Sequence, residues 1–134
     1  MFALAGLLAA TGCMTGQQRA AISAAAHRPA PANPDLSGVM ERYYQGVENE
    51  RWTLVYGMLS DRYRRQLGRS ALQERYAPYT DFDINARQTS NHTVVATIDA
   101  VRRDDRSQHV TIVETATLSW DGDHWVIEDL RETR

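Results

Sequence analysis

Two carboxylates occur in the second half of the chain at positions whose neighbours are apolar. Counting every second residue through 110–120 places Glu114 on a strand face that is otherwise apolar. The same counting puts Asp129 on one face with Trp125 and Ile127. A carboxylate at an inward position is costly unless it is paired or kept neutral. Both residues are therefore candidate acids or bases, with Glu114 the stronger one.

A tyrosine hydroxyl near such a carboxylate would add a hydrogen-bond donor for a developing oxyanion. Tyr44, in an apolar stretch of the first half, is the candidate. An alternative for Glu114 involves no catalysis: its carboxylate lies at a pocket mouth or meets an arginine. The residues that we expect to line a pocket are Tyr43, Tyr44, Trp52, Glu114 and Trp125.

Other kinds of chemistry have no support in the residue pattern. The histidines, His27, His92, His109 and His124, lack the spacing of a metal site. No glycine-rich phosphate loop, nucleophile elbow or Cys–His pairing is present. We therefore expect neither a metal nor a cofactor.

Size and charge narrow the class of protein. A chain of 134 residues with 43% hydrophobic content is one domain with tails at most. The net charge of −2 argues against a nucleic-acid binder, which would usually present a strongly basic face. The single cysteine excludes an internal disulfide framework.

The first residues have the pattern of an export signal. Residues 2–10 are uncharged and apolar but too short to span a bilayer as a helix. They end in Ala10-Thr11-Gly12-Cys13, which is similar to the lipobox of bacterial lipoproteins, although no basic residue precedes the apolar run. The resemblance implies a signal peptide over 1–12 and a lipid on Cys13. The alternatives are a plain export signal, cleaved or uncleaved, and an ordinary cytoplasmic N-terminus; Cys13 would then be an inert thiol.

The residues after the cysteine predict a tether and a location. Residues 13–34 are rich in alanine and proline, which is typical of a flexible linker. Met14 follows the cysteine where Asp would retain a Gram-negative lipoprotein in the inner membrane. The resemblance thus implies a cell-envelope protein on the periplasmic side of the outer membrane, with the folded domain at 35–134.

The stretch 33–52 has the spacing of a helix that covers a surface. Its large apolar residues recur every three or four positions on one stripe. Asn33 and Pro34 predict the N-cap and the first helical residue. Apolar residues at helical spacing continue to residue 59.

Two further helices are expected before the pattern changes. Ser60 predicts an N-cap and Gly68 a helix end, and Ser70 with Gln73 has the spacing of a capping box. From residue 80 onward the period becomes two, with turn signals between four runs. Three helices followed by four antiparallel strands predict an α+β domain.

The domain resembles the nuclear transport factor 2-like superfamily, which includes ketosteroid isomerase and polyketide-cyclase relatives. The resemblance covers residues 35–131 and rests on Tyr43-Tyr44, on the run from Trp52 to Ser60, and on the terminal hairpin 120–127. It implies helices packed on a curved sheet, as a cone with a pocket. Many members dimerise through the sheet.

Three functions are consistent with these expectations. The first is a non-enzymatic binding or assembly module, anchored in the cell envelope, that holds a protein partner or a small apolar ligand. The second is a small-molecule enzyme of the isomerase, cyclase or dehydratase kind with a pocket carboxylate. The third is a structural homodimer that associates through its sheet.

Overall fold

The first helix, α1, covers residues Leu36–Glu48 and packs along the sheet. Its buried residues repeat every three or four positions, which places Leu36, Met40 and Tyr43 on one face. Asp35 is the N-cap, because its carboxylate accepts a hydrogen bond from the amide of Gly38 at 3.1 Å. The predicted N-cap, Asn33, was wrong by two residues because the Asp35 side chain takes that role.

The helix does not continue to Trp52 as predicted. It ends at Glu48, and Glu50 follows with φ of +56°. A residue in this left-handed region interrupts a right-handed helix, so a second helix, α2 (Trp52–Gly57), begins after a turn. Residues 28–133 therefore contain four helices where three were expected.

The next two helices flank one glycine. Ser60 caps α3 (Asp61–Leu67), as predicted, by accepting a hydrogen bond from the amide of Tyr63 at 3.1 Å. Gly68 ends α3 with φ of +74°, a conformation that glycine adopts at little cost. Helix α4 (Arg69–Tyr76) starts directly after it, so the predicted capping box at Ser70 does not form.

Four antiparallel strands form one open sheet in the order β1-β2-β3-β4. The strands are β1 (Tyr79–Gln88), β2 (Thr93–Arg102), β3 (His109–Trp120) and β4 (Trp125–Thr133). Alternation along β2 and β3 buries one face under the helices, and cross-strand partners such as Ile98 and Ile112 meet there. The predicted α+β class and strand order are confirmed.

A bulge in β4 changes the expected alternation. Leu118 pairs with Ile127 and Thr117 pairs with Asp129, so Glu128 is an extra residue. Asp129 therefore lies on the opposite face from Ile127, and its carboxylate accepts a hydrogen bond from Arg131 at 2.8 Å. The prediction that Asp129 shares the inward face was wrong, because simple period-two counting does not anticipate a bulge.

The outer edge of β4 is covered by the segment between α2 and α3. The amide of Ile127 donates to the carbonyl of Met58 at 2.9 Å, and the amide of Ser60 donates to the carbonyl of Ile127 at 2.8 Å. Three residues further along, the Tyr63 hydroxyl accepts from the amide of Leu130 at 3.2 Å. These contacts fix α3 against the sheet.

The structure is a computed structural model that describes residues 28–133. The predicted signal peptide (1–12), the lipid site Cys13 and most of the predicted linker lie outside the described residues. Within 28–133, no helix has the length and apolar character required to cross a bilayer.

Contact between α1 and α2 provides a test of this packing. A Cβ placed on Gly46 would lie 2.7 Å from Cγ2 of the fully buried Val55. We expect Gly46→Ala to lower the free energy of unfolding by about 1–3 kcal/mol, because a branched buried side chain cannot move aside without strain. Urea unfolding measures the difference.

The matched control is Gly57→Ala at the end of α2, where an added Cβ meets nothing within 4 Å. Alanine has the higher helix propensity, so this variant should equal or slightly exceed the wild type in stability. Equal stability of the Gly46→Ala variant and the wild type would contradict the close packing of α1 on α2.

Candidate functional site

Glu114 lies in the middle of β3, and its side chain is 1% exposed. Its cross-strand neighbour on β2 is Ala96, a small residue that leaves room on the inward face for a longer side chain. The apolar residues around it on that face include Ile112 and Ala116. The predicted inward orientation of Glu114 is therefore confirmed.

Two phenols donate to one carboxylate oxygen of Glu114, and a third phenol contacts one of these two. The hydroxyls of Tyr44 and Tyr76 both donate to Oε1 of Glu114, at 2.9 and 2.8 Å. The Tyr43 hydroxyl lies 2.9 Å from the Tyr76 hydroxyl and extends the network by one step. The α1 helix thus supplies two phenols and the end of α4 supplies the third.

The other carboxylate oxygen faces a guanidinium. Arg75 Nε donates to Oε2 of Glu114 at 2.6 Å, and Nη2 lies 2.5 Å from the same oxygen. Nη2 lacks the angle of a hydrogen bond and has no hydrogen-bond partner among the described residues, so it contributes charge only. Nη1 donates to the carbonyl of Leu130 at 3.3 Å, which joins α4 to β4.

Burial determines the proton state of the phenols. Removal from water, followed by the nearby charge of Glu114, raises the pKa of Tyr44 well above its ordinary value, and burial likewise raises the pKa of Tyr43 and Tyr76. Burial alone would lower the pKa of Arg75, but the charge of Glu114 raises it above its ordinary value. The phenols therefore remain donors, and the guanidinium remains charged.

This arrangement leaves Glu114 little capacity for acid–base chemistry. Oε1 accepts from two phenols and Oε2 from the guanidinium, and the side chain is closed to solvent. A general base must reach the proton that it removes, and here internal donors occupy the carboxylate. The expected alternative, in which Glu114 meets an arginine, describes the observed contact.

The residues expected to line one pocket lie in separate places. Tyr43 and Tyr44 join Glu114 in the interior. Trp52 is half-buried and lines two surface clefts, one beside Phe82 and one beside Leu54. The structure does not bring the five predicted residues together in one pocket, so the prediction of a single shared pocket was wrong. Asp129 is also separate from Glu114, because it lies on the other face of the sheet.

An apolar groove lies between α1, α2 and the β3–β4 turn. It has a volume of about 420 Å³, and Val39, Leu54, Met58, Trp120 and Trp125 form its apolar lining. The two indole rings are 5.6 Å apart and inclined at 64°. Leu54, at the rim, is 51% exposed, and it is the one large apolar side chain of residues 28–133 that is exposed. We refer to this feature as the tryptophan groove.

The chain enters the domain beside this groove. The amide of Arg28 donates to the carbonyl of Gly122 at 2.7 Å, and Nε1 of Trp120 donates to the carbonyl of Arg28 at 2.6 Å. The Arg28 guanidinium donates to Asp123 at 2.9 Å. Arg28 belongs to the segment predicted as linker, and these three contacts fix it to the β3–β4 turn.

A further cleft, of about 560 Å³, lies between α3 and the start of β4 and is polar. On its wall, Glu128 Oε1 accepts from Ser119 Oγ at 2.7 Å, while Oε2 accepts from Ser60 Oγ at 2.9 Å and Arg62 Nη2 at 3.0 Å. The hydrogen bond from Ser119 is the main cause that lowers the pKa of Glu128 below its ordinary value. Acidic and basic residues alternate around this cleft, so it has no strong preference for an anion.

Sequence reasoning missed Arg75 and Tyr76 as partners of Glu114. They follow each other at the end of α4, and only the packing of that helix on the sheet brings them near β3. A hydrophobic face that contained one carboxylate did imply some buried cation and donor, but not which of the 15 basic residues supplies it. Trp120 was expected on the inward face, although its place in a surface groove was not.

Replacing the carboxylate tests the buried network. We expect Glu114→Gln to destabilise the domain by about 2–4 kcal/mol, because the Arg75 guanidinium then loses its counter-charge in a mostly buried place. Glu132→Gln is the control: Glu132 pairs with Glu114 across the strands but is exposed, so its loss should cost less than about 0.5 kcal/mol. Chemical unfolding of both variants measures this difference.

A double variant, Glu114→Met with Arg75→Met, separates charge from packing. It removes both partners of the ion pair and should recover much of the stability lost in Glu114→Gln. A double variant as unstable as Arg75→Met alone would contradict the interpretation that an uncompensated charge is the cause.

The Glu128 contacts predict a dependence of stability on pH. Because its pKa is lowered in the folded state, these contacts stabilise the fold fully above the ordinary pKa of about 4.5 and progressively less as the pH falls below it. When the pH is lowered from neutral to below about 4.5, the free energy of unfolding should therefore fall less for Ser119→Ala than for the wild type. Equal losses in urea unfolding at the two pH values would contradict the role of Ser119.

Comparison with known proteins leaves the function to be argued from these residues. Neither a family model nor a curated protein matches the chain. Among residues 28–133, no cluster of histidine, cysteine, aspartate and glutamate has the arrangement of a metal site.

Proposed function

We propose that this chain is an exported lipoprotein whose domain is a non-enzymatic binding module at the surface of a cell-envelope membrane. Its ligand is a small apolar molecule or an apolar segment of a protein partner. The observation that carries the proposal is the tryptophan groove, which is open to solvent at the point where the chain enters the domain. A groove of about 420 Å³ falls within the range of small-ligand sites.

The chemistry of the groove favours binding over catalysis. Its lining is largely apolar, and two indole rings provide large, rigid contact surfaces. The polar residues at its rim include Arg42 and His124, which can orient a polar end of a ligand. Glu114, the carboxylate that an isomerase-like enzyme would need, is held by internal donors and does not line this groove.

The proposed anchor rests on the lipobox-like residues Ala10-Thr11-Gly12-Cys13. A lipid on Cys13 with more than one acyl chain would hold the domain stably at a membrane. Arg28 is fixed beside Trp120, so the point where the segment from Cys13 joins the domain lies at the same end as the groove. The ligand would then be held close to the bilayer.

The fold that we propose is a nuclear transport factor 2-like one. Helices that precede a four-stranded antiparallel sheet and cover one of its faces support this assignment. The interior of the domain is filled by the tyrosines and by Glu114 rather than left open as a pocket. In this proposal the ligand binds in the tryptophan groove at the end of the sheet and not in an interior pocket.

Replacing the cysteine tests the anchor. Cys13→Ser should release the protein from the membrane fraction into the soluble fraction of the envelope, because the thiol is the only site for the lipid. The intact mass of the wild type should correspond to a chain that begins at Cys13 and carries acyl groups. A mature wild-type protein that retains residues 1–12 and no fatty acid would contradict the proposal.

A further inference from the structure

We infer that the end of the domain with the tryptophan groove docks on the lipid bilayer, with Leu54 inserted among the acyl chains and arginines on the lipid phosphates. This inference deepens the proposed function and rests on it for the presence of a membrane. It gives the domain a fixed orientation on the membrane, in addition to the attachment through the lipid on Cys13.

The apolar part of this surface extends beyond the groove. Leu54 lines the groove on one side and an adjoining cleft with Trp52 on the other. All three tryptophans of the chain, Trp52, Trp120 and Trp125, therefore lie along one surface that has Leu54 at its centre. Tryptophan is enriched where proteins meet the interface between lipid and water, because its ring is apolar and its N–H is polar.

Basic residues surround this apolar surface. Arg42 lines the groove, and Arg51 and Arg69 line the adjoining cleft. None of the three forms an ion pair within residues 28–133; Arg69 donates to the neutral hydroxyl of Thr53 at 2.9 Å. A guanidinium with no carboxylate partner is suited to a phosphate group, which it can bind in a bidentate way.

The two carboxylates that line the groove and the adjoining cleft are each paired with an arginine. Glu50 accepts from Arg103 at 3.1 Å, and Asp123 accepts from Arg28 at 2.9 Å. The surface around Leu54 thus has an excess of positive charge, although the whole chain has a net charge of −2. This local excess complements an anionic bilayer surface.

The position of the chain favours a bilayer over a protein helix as the occupant. Fourteen residues lie between Cys13 and Arg28, so the cysteine cannot lie more than about 50 Å from Arg28, which is beside the groove. Within that reach the membrane is always present, at a high effective concentration, beside the surface through which the chain enters. A partner helix would have to compete with it.

The single cysteine allows a test that does not depend on natural acylation. The full chain, made without acylation, is coupled through the Cys13 thiol to a maleimide phospholipid in vesicles. These contain equal parts of phosphatidylcholine and phosphatidylglycerol, with bromine on the acyl chains. Because all three tryptophans lie on the proposed surface, docking should lower their emission roughly twofold relative to vesicles without bromine.

Leu54→Asp should abolish most of this quenching, since it puts a charge where a side chain enters the acyl region. Gln66→Asp, on the exposed side of α3, is the matched control and should be quenched like the wild type. Circular dichroism checks that both variants are folded. Arg42→Gln with Arg51→Gln should reduce the quenching in these vesicles but not in vesicles of phosphatidylcholine alone.

An unquenched wild type would overturn the docking inference, and so would equal quenching of the Leu54→Asp and Gln66→Asp variants. If the groove is reserved for a protein helix, the coupled wild type remains unquenched. Neither result affects the lipid anchor, because the coupling replaces it. An unacylated natural protein would overturn the anchor and leave a positive quenching result unchanged.

Discussion

The contact between Glu114 and Arg75 is the interaction on which the rest of the interior depends. A carboxylate in an apolar layer must be paired, since its desolvation is otherwise too costly. The pairing brings the end of α4 onto β3, while the guanidinium also donates to the β4 carbonyl of Leu130. One ion pair therefore determines how the helices lie on the central part of the sheet.

The hydrogen bonds of the tyrosine hydroxyls follow from the same need to satisfy the buried carboxylate of Glu114. A single guanidinium satisfies one carboxylate oxygen, and Tyr44 and Tyr76 donate to the other. Because these donors come from α1 and α4, the two helices must approach each other above the carboxylate. The interior above Glu114 is filled in this way. The binding site that we propose is therefore at the surface, in the tryptophan groove.

Local patterns predicted much of the fold. Ser60 and Gly68 were recognised because capping and positive φ are properties of single residues, and the strands were recognised from alternation. The predictions were wrong where an interruption decides the structure. Glu50 breaks the first helix with a positive φ, and the extra residue Glu128 turns Asp129 to the opposite face. Both residues are glutamates, and a glutamate in a sequence indicates neither a positive φ nor a β-bulge.

The site was predictable only in part, for a related reason. Glu114 was identified from strand periodicity, which is a local property. Its partners Arg75 and Tyr76 are 39 and 38 residues away along the chain, and their approach depends on how α4 packs. The tryptophan groove likewise joins residues from two helices and a turn. Periodicity reports which way a side chain points, but not which distant element it meets.

The bonding of Met58 and Ser60 to Ile127 makes the two borders of the sheet unequal. The border at β4 is occupied, whereas β1 forms the other border. A second molecule that added its own β1 there would give an eight-stranded sheet whose two outer borders are both occupied. Such an assembly stops at two copies and cannot grow into a fibre.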